Sequence, residues 1–286
     1  FIDDTRGWDF HNGDNDPLDD HGHGSHVAGI AGAVADNLEG IAGIAPESKI
    51  IPVKVLSASG SGFVSNVISA IKYAANLGAT VINMSLGIMK SFLSKSLRSA
   101  LENAVKYAKG KGTIVVAAAG NDNRDVRNFY PAGIRDVIAV GAIEPITDNR
   151  AWFSNFGALL DLVAPGVDVL SLRAGGTSFG SSSVVDPDYS RASGTSMSSP
   201  IVAGVAALLK AKYPALTYDQ VVSRLRSTAE DLGASGFDNY FGYGLVDAYA
   251  ALVGSSSASA SATILSEEDD GKNNGKKSRV GETGFD

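Results

Sequence analysis

Short apolar runs that alternate with amphipathic helical segments constrain the fold of this chain more than any other feature. Four runs are rich in β-branched residues and almost continuously apolar, as strands buried on both faces are: residues 49–56, 80–86, 113–120 and 136–143. Between them, residues 65–78 and 91–112 repeat apolar side chains at helical spacing and end in glycine, a common C-cap. This order predicts an α/β fold of three layers, with a doubly wound, mostly parallel sheet between helices.

The rest of the chain predicts one domain followed by a tail. Beyond the central pattern we expect a loop-rich stretch, two helices and a closing segment, over residues 144–190, 198–213, 218–231 and 242–253. From Gly254 the sequence turns to serine and alanine and then to charged residues, which is typical of a linker or disorder. We therefore predict a domain over residues 1–253 and a low-complexity charged tail over 254–286.

Composition excludes several classes of function. The net charge is −7 and the basic residues form no long run, so we expect no nucleic-acid partner. Thiol chemistry is excluded because the chain has no cysteine. No run of about 18 or more apolar residues predicts a membrane span. The first ten residues, FIDDTRGWDF, lack the basic and apolar regions of a signal peptide.

Two positions suggest chemistry on a carbonyl group. Ser196 stands at the start of a helix of small residues, with Pro200 in its first turn, where the helix dipole and free N–H groups favour an oxyanion. Taken alone, it reads more simply as an ordinary N-cap serine. Asn121 follows a buried strand, at the sheet edge where α/β proteins bind ligands. It is either a hydrogen-bond donor to negative charge or an asparagine of a turn.

Three of the four histidines lie close together, at His21, His23 and His26. Imidazole serves mainly as a metal ligand or as a proton carrier at neutral pH. The spacing of the histidines alone leaves both interpretations open.

Four motifs in chain order carry a family resemblance. They are HGSHVAG (23–29), SLG (85–87), AAAGN (117–121) and SGTSMSSP (193–200). The set resembles the subtilisin-like serine peptidases, and the resemblance runs from about residue 3 to residue 253. It implies acyl transfer, with Ser196 as nucleophile, His23 as general base and Asn121 as donor to the oxyanion. It also implies that His26 is a packing residue and that His21 occupies a variable position.

The resemblance further implies a protein or peptide substrate in extended conformation. Such a substrate adds as a strand beside two segments of the enzyme. The residues implied in substrate binding are Ser85, Leu86, Gly87, Gly60, Ser61, Gly62, Gly120 and Thr195. Family members are usually secreted with a pro-segment, so we expect an extracellular enzyme, and we expect a monomer.

The aspartate that orients the histidine in this family has no clear counterpart in the chain. Asp3 and Asp4 are candidates, but FIDDTRGWDF resembles a later segment of the family, and Asp3 is closer to His23 than the family's aspartate is. We therefore expect the first strand and its aspartate to lie upstream of Phe1. The sheet would then have a gap or an exposed edge.

An acidic loop ahead of His23 predicts structural calcium. Crowded carboxylates repel one another, and a hard cation with oxygen ligands relieves that repulsion. The loop resembles a calcium loop of thermitase-like members, and the expected ligands are Asp9, Asp14 and Asp16, with Asn12 and Asp20 as further candidates. The alternative is a solvated acidic loop. Residues 35–46 resemble a second calcium loop, through Asn37.

Two alternatives to a serine peptidase stay open at this stage. One is a pseudoprotease or peptide-binding fragment that keeps the fold without turnover, although His23, Asn121 and Ser196 are all intact. The other is a metal-dependent hydrolase that uses the histidine cluster. Sensitivity to chelators together with resistance to serine-directed inhibitors would favour the second.

Overall fold

A computed structural model describes residues 7–254, in which eleven strands and six α-helices follow one another along the chain. The strands are β1 (Trp8–Asp9), β2 (Val53–Lys54), β3 (Val81–Met84), β4 (Ile88–Met89), β5 (Ile114–Ala118), β6 (Phe129–Tyr130), β7 (Ile138–Ile143), β8 (Leu162–Pro165), β9 (Val169–Leu172), β10 (Val184–Asp186) and β11 (Tyr189–Ala192). The helices are α1 (His23–Gly32), α2 (Val64–Asn76), α3 (Lys95–Gly110), α4 (Thr195–Lys212), α5 (Tyr218–Ser227) and α6 (Ala248–Val253).

The central sheet is parallel and has the strand order β3-β5-β7-β8. Successive side chains of a strand point to opposite faces. Along β5, Val115 and Ala117 therefore pack with helices α2 and α3, whereas Ile114 and Val116 pack with α4, α5 and α6. Both faces of the sheet are covered by helices, which confirms the predicted three-layer α/β fold.

The first edge of the central sheet is open among the described residues. Strand β3 pairs only with β5, and the short β2 pairs only with β1. Val81 and Ile82 of β3 are accordingly only half-buried, although the apolar run predicts a fully buried strand. The predicted strand over 49–56 shrinks to two residues, and Ile50 and Ile51 at its start are exposed.

Helix α4 begins earlier than the sequence predicts. It starts at Thr195, with Gly194 as its N-cap, so Ser196 lies inside the first turn and is not the cap. Pro200 lies beyond that first turn, which corrects the sequence prediction. Its ring nitrogen cannot donate to the carbonyl of Ser196 four residues back. The hydroxyl of Ser85 donates to that carbonyl instead, at 2.8 Å, so a contact with a neighbouring strand end compensates the proline.

The stretch 144–190 is more regular than predicted, because β8, β9 and β10 lie within it. Strands β9, β10 and β11 form a separate antiparallel sheet in the order β10-β11-β9. This small sheet packs on α1. The Ser171 hydroxyl donates to the carbonyl of His26 at 2.7 Å, and the His26 ring lies 3.2 Å from the carbonyl of Ser190.

The described residues all belong to one compact unit. The predicted tail over 254–286 lies outside them except for Gly254, so the domain boundary at residue 253 stays a prediction. Between residues 7 and 254, none of the helices has the length and apolar character needed to cross a membrane.

Candidate active site

Ser196, the predicted nucleophile, lies in the first turn of α4. The residue is half-buried, and its Oγ donates to the carbonyl of Ser85 at 3.4 Å, a weak hydrogen bond that is easily exchanged. At the start of a helix the backbone N–H groups have no partner one turn back, but here that of Thr195 donates to Oδ1 of Asn121 and that of Met197 to the carbonyl of Gly194. Ser196 therefore offers an available hydroxyl at the positive end of the helix dipole.

Asn121 is held beside Ser196 by a hydrogen-bond network. The backbone N–H and the hydroxyl of Thr195 both donate to Oδ1 of Asn121, each at 2.9 Å. The backbone N–H of Gly120 donates in turn to the hydroxyl of Thr195 at 3.0 Å. Because Oδ1 is engaged as an acceptor, the amide Nδ2 is left to donate. It faces Gly194, since a Cβ on Gly194 would lie 3.2 Å from it.

His23 is the first residue of α1, a helix that packs on α4. The burial of its ring, together with the neighbouring imidazoles of His21 and His26, lowers the pKa of His23 from 6.5 to about 4. The charge of Asp19 opposes this shift, but its carboxylate accepts hydrogen bonds from the backbone N–H groups of Gly22 and Ser25, both at 2.7 Å. Within residues 7–254, no hydrogen bond joins the His23 ring to a carboxylate or to Ser196.

The three histidines do not form a metal site in this arrangement. No group of three or more histidine, aspartate or glutamate side chains within the described range is placed to hold a metal ion. The rings of His21 and His23 lie 6.3 Å apart, and His26 is fully buried and turned toward Ser190. The metal-hydrolase alternative therefore has no geometric support here.

Each of the two segments implied in substrate binding includes an exposed glycine. Residues 60–62 form an exposed loop ahead of α2, and a Cβ on Gly60 would lie 3.5 Å from Nε2 of His21. Residues 85–87 connect β3 to β4, with Gly87 exposed. The side chain of Leu86 is half-buried and packs against the core.

The acidic loop does not gather its side chains around a cation. The Asp9 carboxylate is fully buried and accepts hydrogen bonds from the backbone N–H groups of His11 and Asn12, from Nδ2 of Asn12 and from Nζ of Lys54, at 2.7, 2.9, 2.9 and 3.0 Å. The same Lys54 ammonium lies 2.8 Å from Asp20.

The two remaining predicted ligands of this loop, Asp14 and Asp16, are joined by one hydrogen bond between a side chain and the backbone. Asp14 accepts a hydrogen bond from the backbone N–H of Asp16, and both residues are exposed. As placed, the set Asp9, Asn12, Asp14, Asp16 and Asp20 does not fit a calcium ion, since the Lys54 ammonium already lies between the carboxylates of Asp9 and Asp20. No local pattern in the sequence pairs Lys54 with this loop.

Comparison with known proteins places these features in context. A family model described as the Subtilase family matches residues 2–244. The chain is 44% identical over 248 residues to a thermophilic serine proteinase of Bacillus sp. (strain AK1), a match that covers 87% of this chain and 56% of that protein. It is 44% identical over 248 residues to subtilisin DY of Bacillus licheniformis, covering 86% of this chain and 82% of that protein.

Solved structures show the same likeness. A protease from Pseudoalteromonas arctica PAMC 21717 superimposes with a TM-score of 0.69 and 38% sequence identity, over 80% of this chain and 70% of the other.

Proposed function

The chain belongs to the subtilase family, and on that premise we propose that it is a serine endopeptidase that hydrolyses peptide bonds through an acyl-enzyme on Ser196. The observation that carries the proposal is the network of Ser85, Asn121, Thr195 and Ser196, which fixes the Asn121 amide at the helical turn that carries the half-buried Ser196 hydroxyl and leaves its Nδ2 free to donate. No described residue favours the pseudoprotease alternative.

The chemistry proceeds in two steps. Oγ of Ser196 leaves the carbonyl of Ser85 and attacks the substrate carbonyl carbon, while a ring nitrogen of His23 takes the hydroxyl proton. His23 then gives that proton to the leaving amine as the peptide C–N bond breaks. Water hydrolyses the resulting ester with His23 again as base, and the serine is regenerated. The low pKa of His23 keeps its ring in the neutral form, which can accept a proton, at pH 7.

The oxyanion of the tetrahedral intermediate lies, in this proposal, beside Nδ2 of Asn121. Donors that are oriented before the reaction cost no reorganisation when charge develops. Thr195 supplies that orientation, because its two donors hold the oxygen end of the Asn121 amide.

The partner that orients His23 stays a prediction. Asp3 and Asp4 lie outside the described residues, and Asp19 is committed to the backbone of α1. A carboxylate that reached the ring would favour its protonated form and raise the pKa of His23. The pKa of His23 in solution therefore reports whether such a partner is present.

Substrate, calcium and location follow from the family rather than from this geometry. We propose an extended peptide as substrate, bound along residues 60–62 and 85–87, and an extracellular, monomeric enzyme without a nucleic-acid partner. Structural calcium also stays a prediction from the sequence. The described side chains of the acidic loop do not support it, because Lys54 occupies the position of a cation between Asp9 and Asp20.

Labelling with a fluorophosphonate probe tests the proposed function. The folded chain is expected to form an adduct that mass spectrometry locates on Ser196, with and without added calcium, because the probe reacts only with an activated serine. The Ser196→Ala variant is expected to remain unlabelled, and Ser178, an exposed serine elsewhere in the chain, serves as the internal control. A chain that is folded by circular dichroism yet unlabelled at Ser196 would favour the pseudoprotease alternative.

Removal of the Asn121 amide is expected to slow turnover without weakening substrate binding. Asn121→Ala deletes the donor to the oxyanion, and the expected loss in kcat is about 10²–10³-fold, the value known for subtilisin itself, with KM nearly unchanged. Steady-state hydrolysis of a chromogenic peptide gives both constants. Asn123→Ala, two residues further in the same turn, is the matched control. A loss confined to KM would show that Asn121 binds substrate rather than the transition state.

A further inference from the structure

One aromatic side chain contacts all three clustered histidines, and no part of the proposed mechanism uses it. The ring of Phe179 lies 5.0 Å from that of His23, in an edge-to-face arrangement with an interplanar angle of 89°. Its centroid is also 5.6 Å from the rings of both His21 and His26. Phe179 itself is half-buried.

Phe179 is carried by residues 173–188, the segment that connects β9 to β11, includes the exposed strand β10 and is called here the 173–188 loop. The base of this loop is tied to α1, because Ser171 and Ser190 in the flanking strands bond to the backbone and the ring of His26. Its tip is tied to the residues ahead of α1. The backbone N–H of Phe179 donates to the carbonyl of His21 at 3.2 Å.

The approach of this tip is close enough to require glycine. Gly22 has a φ of 101°, and a Cβ on it would lie 2.4 Å from Oγ1 of Thr177. The loop thus touches the chain immediately before His23 and then presents Phe179 to its ring.

Among the described residues, only packing contacts bear on the orientation of the His23 ring. The terminal torsion of histidine is broad and roughly two-fold, so the side chain does not define its own ring plane. No hydrogen bond to the His23 ring exists within the described residues, and the rings that pack on it are those of His21 and Phe179. An edge-to-face aromatic contact defines the angle between two rings and excludes water from the covered side.

We propose that Phe179 is a positioning residue, which holds the His23 imidazole in its reactive orientation and makes the 173–188 loop part of the catalytic apparatus. This inference rests on the proposed function of His23 as general base. Misplacement of a reacting group by about 1 Å costs about 10²-fold in rate. A freely rotating imidazole is therefore mostly in orientations that cannot accept the proton of Ser196.

The groups that face His23 also predict how the pKa of its ring changes when Phe179 is removed. His21, His26 and the carboxylate of Asp19 surround the ring, and burial is the largest cause of its low pKa. Phe179 contributes to that burial. Its removal is expected to raise the pKa of His23 from about 4 toward 6.5, because water then reaches the protonated form.

The experiment compares Phe179→Ala, Phe179→Leu and Val185→Ala, the last at an exposed position of the same loop. For each variant, the rate of fluorophosphonate labelling at Ser196 is measured against pH. The titration of the histidine rings is followed by NMR of the Cε1–H groups, of which the chain has only four. Phe179→Ala is expected to slow labelling about tenfold or more and to raise the pKa of His23. Phe179→Leu is expected to be intermediate, and Val185→Ala unchanged.

The outcomes separate this inference from the proposed function. A Phe179→Ala variant with the original labelling rate and the original His23 titration overturns the positioning role. If the unaltered chain is never labelled at Ser196, the proposed function fails, but the NMR comparison still decides whether Phe179 orients and buries the ring. The His26 resonance, which reports the buried contact with Ser190, shows that α1 is intact in each variant.

Discussion

The His23→Gln variant is expected to acylate Ser196 about 10²–10⁴-fold more slowly than the unaltered chain, the usual contribution of a general base. Glutamine is similar in size to histidine but cannot accept the hydroxyl proton. The rate is measured with the fluorophosphonate probe and, independently, by hydrolysis of a chromogenic peptide. His11→Gln, at the exposed histidine of the acidic loop, is the matched control and is expected to retain the full rate.

The pH profile of the unaltered chain sharpens this prediction. Only the neutral imidazole acts as a base, and burial lowers the pKa of His23 to about 4. The rate is therefore expected to be constant near neutral pH and to fall as the pH drops through about 4. A midpoint near 6.5 or above would show that a carboxylate or water reaches the ring. An unaltered rate in His23→Gln would remove His23 from the mechanism.

The Arg226→Met variant is expected to lose about 3 kcal/mol in free energy of unfolding, the lower end of the range for breaking a buried ion pair, because Arg226 keeps partial access to solvent. The carboxylate of Asp161, only 7% exposed, accepts hydrogen bonds from the guanidinium of Arg226 and, at 2.8 Å, from the backbone N–H of Ala139. Methionine keeps much of the length of arginine but leaves a buried charge without its partner. Urea unfolding followed by circular dichroism measures the loss.

The stability that Arg226→Met loses is expected to depend on pH in one direction. Burial raises the pKa of Asp161 above its usual 3.8, and Arg226 opposes that rise. Without the arginine, the pKa of Asp161 in the folded state rises further above its pKa in the unfolded state. The variant therefore keeps its stability below the unfolded-state pKa of Asp161 and loses it as the pH increases toward the folded-state pKa. The variant is therefore expected to be closest to the unaltered chain near pH 4 and furthest from it near neutrality.

Two controls test whether the unpaired charge is the cause. The double variant Asp161→Asn/Arg226→Met is expected to recover part of the stability, because asparagine still accepts from Ala139 without carrying a charge. Arg191→Met breaks an exposed pair with Asp168, and its expected cost is at most about 1 kcal/mol. Equal losses in the single and double variants would show that packing, not charge, is what Arg226 contributes.

The layers of the fold could be predicted because their signal is local. Helices α2 and α3 lie within a few residues of their predicted ranges, since their apolar spacing and terminal glycines are properties of the segments themselves. Strands β5 and β7 follow their apolar runs for the same reason. The prediction is wrong where a strand depends on hydrogen bonds to a distant strand. Residues 49–56 contain a strand of only two residues, and residues 144–190 contain β8, β9 and β10.

The same distinction between local and long-range signals applies to the candidate site. The sequence by itself was enough to select the residues proposed for the chemistry, because His23, Asn121 and Ser196 stand in motifs that are recognised by their order and spacing along the chain. Only the tertiary structure decided what surrounds them: Lys54 between Asp9 and Asp20, and Phe179 against the His23 ring. Such contacts join residues far apart in the chain, and their energy depends on distance and burial in the folded state. The spacing of apolar and polar residues within one segment therefore cannot predict these contacts.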